Sequence, residues 1–227
     1  MRLVYENLDL LVRAFGYTLL FFVVAAVLSL LLGTLVAAMR VGPVAVLRRA
    51  GAAYVLLVRN TPLLVVLLFF RFAGPKIGLT FSFVDLDLGQ WRINNIFASL
   101  VVGLSLYTAA FVCEAIRSGI NAVPVGQAEA ARAIGLPFGG VMTQVVLPQA
   151  VRASVPPLAS VQIALLKNTT ECGALGVLEA FGRMRSFTNN DPGQRYGIFF
   201  VFAAVFVVLV LALSFVANRL ERRWKVA

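Results

Sequence analysis

The sequence predicts an all-α, polytopic membrane protein with five transmembrane helices and a short helix-turn-helix loop between the third and fourth of them. The 227 residues are 60% hydrophobic with a mean hydropathy of +0.91, well above an average soluble domain. Long uncharged runs alternate with short segments rich in arginine, glycine and proline. No polar segment is long enough to form a separate hydrophilic domain, so we treat residues 1–227 as one transmembrane domain.

The first span is the clearest, because no charged residue occurs between Ala14 and Met39 and about 20 apolar residues suffice to cross a bilayer. A cleavable signal peptide is not expected, since this apolar run is too long and no small-residue cleavage site ends it. The predicted spans cover residues 14–39, 51–72, 93–116, 145–166 and 198–217.

The second predicted span contains a helix-breaking sequence, Arg59-Asn60-Thr61-Pro62. Freed backbone groups and a charge within a membrane must be satisfied inside the helix bundle. The sequence therefore leaves two interpretations open, a polar position inside the bundle and an arginine that extends to the membrane surface.

The fourth predicted span is also expected to be interrupted, since it contains Pro148, Pro156 and Pro157. Interrupted spans in transporters expose backbone groups at membrane depth, where a polar solute can be held. The span carries Gln162 and ends in the hydrogen-bonding cluster Lys167-Asn168-Thr169-Thr170. A capped helix end at the membrane surface would explain this cluster equally well.

The formal net charge of +10 does not indicate nucleic-acid binding, because the basic residues are scattered between apolar runs. Cations concentrate after the first and last spans, which favours the cytoplasm for those segments. This assignment places the N-terminus outside and the C-terminus inside, although the full tally of cations divides evenly between the two sides. The clustered cations are Arg40, Arg48, Arg49, Arg219, Arg222, Arg223 and Lys225.

The sequence lacks the residues typical of metal sites, disulfides and nucleotide-binding loops. There is no histidine, and Cys113 and Cys172 are isolated thiols in different segments, so neither a metal site nor a disulfide is expected. The phosphate-binding motif G-x-x-x-x-G-K-[ST] is absent. We therefore expect no catalytic residue and no cofactor in this chain.

Residues 123–149 form the longest polar-tolerant interval in the chain. Pro124 suits a first helical turn, and the Ala-rich stretch from Gln127 to Ile134 contains strong helix formers. Gly135 and Pro137 predict a helix stop with glycine in the left-handed conformation. A second helical run begins near Phe138. We call residues 123–149 the elbow.

The elbow resembles the cytoplasmic coupling loop of permease subunits in ABC importers. The resemblance follows the pattern E-A-A, three residues, G, nine residues, an aliphatic, one residue, L-P, with valine where the family has isoleucine. It implies a type I ABC importer permease in which the elbow docks on an ATPase subunit, helped by small alanines at positions 128, 130 and 131. The coupling residues it implies are Gln127, Glu129, Ala130, Ala131, Gly135, Leu147 and Pro148.

Other motifs resemble the polar amino acid uptake family, and glutamate permeases in particular. They are Val58–Pro62, Leu106-Tyr107-Thr108, Glu114, Arg117–Asn121 and Gln127–Ala131. One departure is Glu171-Cys172, where the family has small or aliphatic residues. An acid there argues against an acidic substrate unless it faces away from the site or pairs with Lys167.

This resemblance implies a prokaryotic plasma-membrane complex with ABC ATPase subunits, a second identical or paralogous permease and an extracellular solute-binding protein. The substrate would be a polar amino acid, with glutamate the first candidate. Cationic groups would hold its carboxylates, and amide and hydroxyl groups its polar remainder. The predicted substrate-path residues are Arg59, Thr61, Gln162, Lys167, Asn168 and Thr169.

Two other classes of function are conceivable for a membrane protein of this kind. An ion-coupled secondary transporter or channel would need a coupling-ion device and usually an inverted repeat. A membrane enzyme would need a nucleophile, metal or acid pair, and neither H-E-x-x-H nor G-x-S-x-G occurs. Both classes fit the sequence less well than an ABC permease.

Overall fold

The computed structural model describes residues 7–89 and 91–224. The predictions that involve Lys225 therefore lie outside the described residues. The helices are α1 Leu8–Val41, α2 Ala45–Arg59, α3 Leu63–Leu68, α4 Asn95–Asn121, α5 Val125–Ala133, α6 Phe138–Gly140, α7 Leu147–Ala174, α8 Ala180–Asn190 and α9 Arg195–Trp224. Strands β1 Leu86–Asp87 and β2 Arg92–Ile93 form a short antiparallel hairpin.

The central helix of the bundle is α4, which packs along α1 on one side and α7 on the other. Its residues Leu100 and Leu104 join Phe21, Leu67 and Leu165 in the main apolar core. These five side chains come from four different helices. Burial of their apolar area therefore fixes α1, α3, α4 and α7 relative to one another.

Two glycines allow α4 to approach its neighbours closely. A Cβ atom on Gly33 of α1 would lie 2.8 Å from the Ala109 carbonyl oxygen, and one on Gly119 of α4 would lie 2.5 Å from the Ala150 carbonyl oxygen. Small residues at helix crossings are the usual means by which membrane helices pack, because lipid supplies no hydrophobic force between them.

The bundle has two distinguishable ends, because α1 and α4 run in the same direction. Tyr17 stacks near Phe97 early in both helices, with ring centroids 5.5 Å apart. Arg40 forms an ion pair with Glu114 late in both. We call the end that leads into the elbow the elbow end and the opposite end, which contains the hairpin and α8, the distal end.

The second predicted span is bent sharply, as its Thr-Pro sequence suggested. Helix α2 ends at Arg59, and the helical segment that starts at Leu63 leaves at an angle of 101°. Pro62 precedes the first residue of α3, so its missing N–H removes no hydrogen bond from either helix.

The predicted interruption of the fourth span is wrong. Helix α7 continues through Pro156 and Pro157 to Ala174, well past the predicted end at residue 166. Pro148 does not end the preceding run either. It lies in the first turn of α7, directly after a π-helical segment, Val141–Val146, and proline is tolerated at that position.

The all-α polytopic class is confirmed. Within residues 7–89 and 91–224, three helices are long and apolar enough to cross a membrane: Leu8–Val41, Asn95–Asn121 and Pro192–Arg223. The bent pair Ala45–Arg59 and Leu63–Ile77 raises this number to four if it is one span. The 28-residue helix α7 is too polar to be counted with them, so the fifth span stays a prediction.

Candidate functional site

A pocket of about 370 Å³ lies between α4 and α7. Helix α4 contributes Tyr107, Thr108 and Phe111, and α7 contributes the polar side chains Ser160 and Asn168. The remaining walls are aliphatic. A pocket of this kind, with mostly apolar walls and a few convergent polar groups, is typical of a small-molecule site.

Groups of opposite charge lie near the two ends of this pocket. The Arg59 guanidinium is 5.8 Å from the centroid of the Phe111 ring, on the side of the elbow end. Glu171 lies three residues after Asn168 on α7, on the distal side. One oxygen of Glu171 is buried and has no hydrogen-bond partner within the described residues. The pocket can therefore offer a cation at one end and an acceptor at the other.

Glu114 organises three arginines just beyond the elbow-end edge of the pocket. It forms a close ion pair with Arg40 of α1, and its Oε2 atom lies 3.9 Å from Nη1 of Arg59 and 3.7 Å from Nε of Arg117. The predicted pairing of Glu114 with Arg117 is thus present, but it is one of three. Because three cations share one anion, the cluster keeps a net positive charge.

The structure distributes the six predicted substrate-path residues over different environments. Only Asn168 lines the pocket, and Arg59 lies at its edge. The Thr61 hydroxyl donates to the Leu57 carbonyl oxygen at 2.9 Å, which leaves it only an acceptor role.

The other three lie on α7 away from this pocket's lining. Thr169 is fully buried and donates to the Leu166 carbonyl oxygen at 2.7 Å. Lys167 is exposed, and no ion pair joins it to Glu171 in the described chain. Both polar atoms of the Gln162 side chain are buried without a hydrogen-bond partner among described residues.

Three polar residues that line the pocket, Tyr107, Thr108 and Ser160, were not among the predicted substrate-path residues, although Tyr107 and Thr108 belong to a motif that carried the family resemblance. Ser160 and Asn168 stand eight residues apart on one face of α7, with Ala164 between them, which is the spacing of side chains on one helix face. This spacing could have predicted that Ser160 and Asn168 share one face of α7. Nothing in the sequence predicts which face of α4 packs against that face.

The elbow consists of α5, a tight turn and a second helical run that leads into α7. The N–H of Leu136 donates to the Ala131 carbonyl oxygen at 3.1 Å, and the N–H of Gly135 donates to the Arg132 carbonyl oxygen at 2.9 Å. Together with a φ of +90° at Gly135, these two bonds form a Schellman motif. The predicted glycine stop is confirmed.

A small core and a side-chain clamp hold the two arms of the elbow together. Ala131 packs with Val123, Val141 and Val146 in an apolar cluster. Gln149 donates from its side-chain amide to the Gln127 side chain and, at 2.9 Å, to the Val145 carbonyl oxygen. The elbow is therefore a folded unit rather than a loose connection.

The outer surface of the elbow differs from the expected one. The expectation that Ala131 faces outward is wrong, because only 5% of its surface is exposed, and Ala128 is partly buried against the same cluster. Apolar side chains are displayed instead, with Ile134 80% and Val125 70% exposed. The predicted coupling residues that are exposed are Gln127, Glu129, Ala130, Gly135, Leu147 and Pro148.

Residues 29–226 match the family described as the inner membrane component of binding-protein-dependent transport systems. The chain belongs to this family. It is 42% identical over 217 residues to the glutamate transport system permease protein GluC of Corynebacterium efficiens, covering 95% of this chain and 94% of the relative. The GluC protein of Corynebacterium glutamicum is 40% identical over 214 residues, covering 94% and 93%.

Solved structures of the same architecture agree with the fold of this permease. A crystal structure of an amino acid ABC transporter with histidines superposes with a TM-score of 0.84 at 25% identity, over 97% of this chain and 96% of that one. The inward-facing methionine ABC transporter MetNI gives a TM-score of 0.75 at 21% identity, over 97% and 99%. The predicted type I ABC importer permease fold is confirmed.

Proposed function

We propose that this permease forms the membrane path for a polar amino acid, with glutamate as the first candidate, and that the α4–α7 pocket holds the amino acid during import. The two relatives in Corynebacterium are glutamate permeases by name. The observation that carries the proposal is the placement of Arg59 beside Phe111 at one end of the pocket and of a buried, unsatisfied Glu171 oxygen towards the other.

An amino acid is a zwitterion, so it needs a cation near its carboxylate and an acceptor near its ammonium group. The guanidinium of Arg59 is 48% exposed and can turn towards a carboxylate, with which it forms strong, forked hydrogen bonds. Glu171 neither faces away from the pocket nor pairs with Lys167, but its unsatisfied oxygen is a suitable partner for the ammonium group. An amino acid bound with its ammonium group at this end keeps its carboxylates away from Glu171, so this acid is compatible with glutamate as substrate. The net positive cluster around Glu114 adds attraction for a second carboxylate, which favours glutamate over neutral amino acids.

The same proposal assigns the energy source and partners to other chains. An ABC ATPase subunit would bind ATP and dock on the exposed surface of the elbow, where Glu129 supplies a fixed charge. A second permease, identical or paralogous, would complete the path, and an extracellular solute-binding protein would deliver the amino acid at the distal end. The elbow and the C-terminus would then lie in the cytoplasm and the N-terminus outside.

The pocket assignment is tested by uptake of labelled glutamate in cells that carry Arg59→Gln. Loss of a charged hydrogen bond to the carboxylate should reduce uptake about tenfold at subsaturating glutamate. Arg48→Gln is the matched control, because Arg48 is exposed and donates only to the Gly42 carbonyl oxygen. Equal uptake by the two variants would contradict the assignment of Arg59.

A further inference from the structure

A second cavity, of about 300 Å³, opens at the distal end of the bundle, away from the amino acid pocket. We call it the distal pocket. It is enclosed by the start of α1, the hairpin, the first turn of α4, the connection after α7 and helix α8. Three arginines line it, Arg13, Arg92 and Arg183, and none of the described lining residues is acidic.

The three arginines differ in how far their charges are already satisfied. Arg92 is paired with Asp85 through two hydrogen bonds of 3.0 and 3.1 Å, and both side chains are largely exposed. Arg13 lies 3.9 Å from Asp9, also in an exposed position. Arg183 forms no ion pair with any described residue.

Arg183 is the unusual member, because its Nε atom is buried and has no hydrogen-bond partner in the described chain. A buried polar atom without a partner costs free energy. In native structures such an atom is usually satisfied by water, an ion or a ligand. A guanidinium is a planar fork that matches the oxygens of a phosphate or carboxylate.

The distal pocket is flanked by aromatic residues of the kind found at membrane surfaces. The Trp91 indole nitrogen donates to the Arg13 carbonyl oxygen at 2.9 Å, and the Tyr17 hydroxyl donates to the Arg92 carbonyl oxygen at 2.7 Å. Tryptophan and tyrosine with one polar and one apolar side are enriched at membrane surfaces. The apolar part of α1 begins directly below, at Ala14.

The walls of the distal pocket are apolar on the side away from the arginines. Leu10, Ile96 and Leu178 line it, and Leu178 is 54% exposed. A ligand with an anionic head and an apolar body would satisfy both sides. A free anion or an acidic protein side chain would satisfy only the arginines.

We propose that the distal pocket binds the phosphate group of an anionic phospholipid, with Arg183 as its principal ligand and Arg13 and Arg92 beside it. The bound headgroup would neutralise Arg183 and tie α8 to α1 and the hairpin. This site is separate from the amino acid path, so it stands or falls independently of the proposed function.

The test uses the full-length permease purified in mild detergent with the subunits that accompany it. Native mass spectrometry counts bound lipid after addition of phosphatidylglycerol or phosphatidylcholine, and thermal unfolding is measured on the same samples. The wild type should retain phosphatidylglycerol in preference to phosphatidylcholine and unfold at a higher temperature with it. Arg183→Gln should weaken phosphatidylglycerol binding about tenfold and abolish the lipid-induced shift.

Arg185→Gln is the matched control, because Arg185 lies on the same helix and is exposed, but faces a different groove. It removes the same charge and should leave lipid binding unchanged. Arg183→Lys, which keeps the charge without the fork, should bind with intermediate strength. Thermal unfolding without added lipid checks that each variant is folded. Because Arg183 has no ion pair with a described residue, its substitution should leave this lipid-free unfolding temperature unchanged.

Three results would overturn the proposal. Equal losses in Arg183→Gln and Arg185→Gln would mean that lipid binds through overall charge alone. Full stabilisation by inorganic phosphate, without retained lipid, would identify a free anion as the ligand. Stabilisation that depends on Arg183 only after a solute-binding protein is added would identify an acidic protein side chain instead.

Discussion

Two carboxyl groups, one at each end of the bundle, are stabilised in different ways. Glu114, at the elbow end, is surrounded by Arg40, Arg59 and Arg117. Glu179, at the distal end, is fully buried and forms no ion pair with a described residue. Its oxygens accept hydrogen bonds from the Gly182 N–H at 2.9 Å and the Thr18 hydroxyl at 3.2 Å.

The difference shows which end of the permease responds to pH. Opposite charges neutralise Glu114, whereas Glu179 has only neutral donors. Burial therefore raises the pKa of Glu179 to about 7, despite the opposing hydrogen bond from Gly182. The elbow end is organised by charge and the distal end by a carboxyl that can gain a proton near neutral pH.

The largest expected effect comes from breaking the helix crossing that joins the two ends. Gly119→Leu would force side-chain atoms onto the Ala150 carbonyl oxygen, so α4 and α7 must separate. We expect loss of folded permease, measured by size-exclusion chromatography in detergent. Gly126→Leu is the control, since open space surrounds that glycine. A folded, active Gly119→Leu variant would contradict the prediction that close packing of α4 and α7 at this glycine is needed for the fold.

The next effect isolates the elbow end. Gly135 has a φ of +90° with no atom near its missing Cβ, so Gly135→Ala introduces backbone strain of about 1–2 kcal/mol without a clash. The permease should insert normally but lose amino acid uptake and ATPase co-purification several-fold. Gly139→Ala has the same open surroundings without a positive φ and should behave as wild type. Identical behaviour of the two variants would contradict a role for the turn.

A pH-dependent effect isolates the distal end. The ordinary pKa of a glutamate is 4.5, and that of folded Glu179 is about 7. The protonated form is therefore favoured by folding. This stability is present below pH 4.5 and is lost as pH rises through 7, by up to about 3 kcal/mol.

Thermal unfolding at several pH values between 5 and about 8 measures this loss. Glu179→Gln should flatten the dependence, because the amide keeps hydrogen-bonding capacity without a charge. Glu129→Gln, at an exposed position of the elbow, should retain the wild-type dependence. A wild-type slope in Glu179→Gln would assign the pH response to another group.

The elbow could be predicted from sequence because its geometry is local. The hydrogen bonds of the Schellman turn at Gly135 join residues within five positions of one another. Glycine and the following Pro137 are residue types that favour this helix end. The bend at Pro62 was predictable for the same reason. The prolines of α7 led to the wrong prediction that this helix is interrupted. A helix packed against α4 tolerates the loss of the backbone hydrogen bonds that proline removes, whereas an isolated helix would not.

The α4–α7 pocket and the distal end could be predicted only in part, because they depend on contacts between distant residues. Thr18 meets Glu179 across 161 positions, and Tyr17 meets Arg92 across 75. The fourth span was correctly expected to carry a polar cluster, yet only Asn168 of that cluster faces the pocket. Which residues of α7 face the pocket depends on how α7 is rotated against α4. A single sequence does not specify that rotation.

The most direct test of the account is import of labelled glutamate into proteoliposomes that contain the permease with its ATPase subunit, its partner permease and its solute-binding protein. The account predicts import that requires ATP inside and binding protein outside, and that needs no ion gradient. Import that proceeds without ATP, driven by a sodium or proton gradient, would contradict it and identify an ion-coupled transporter.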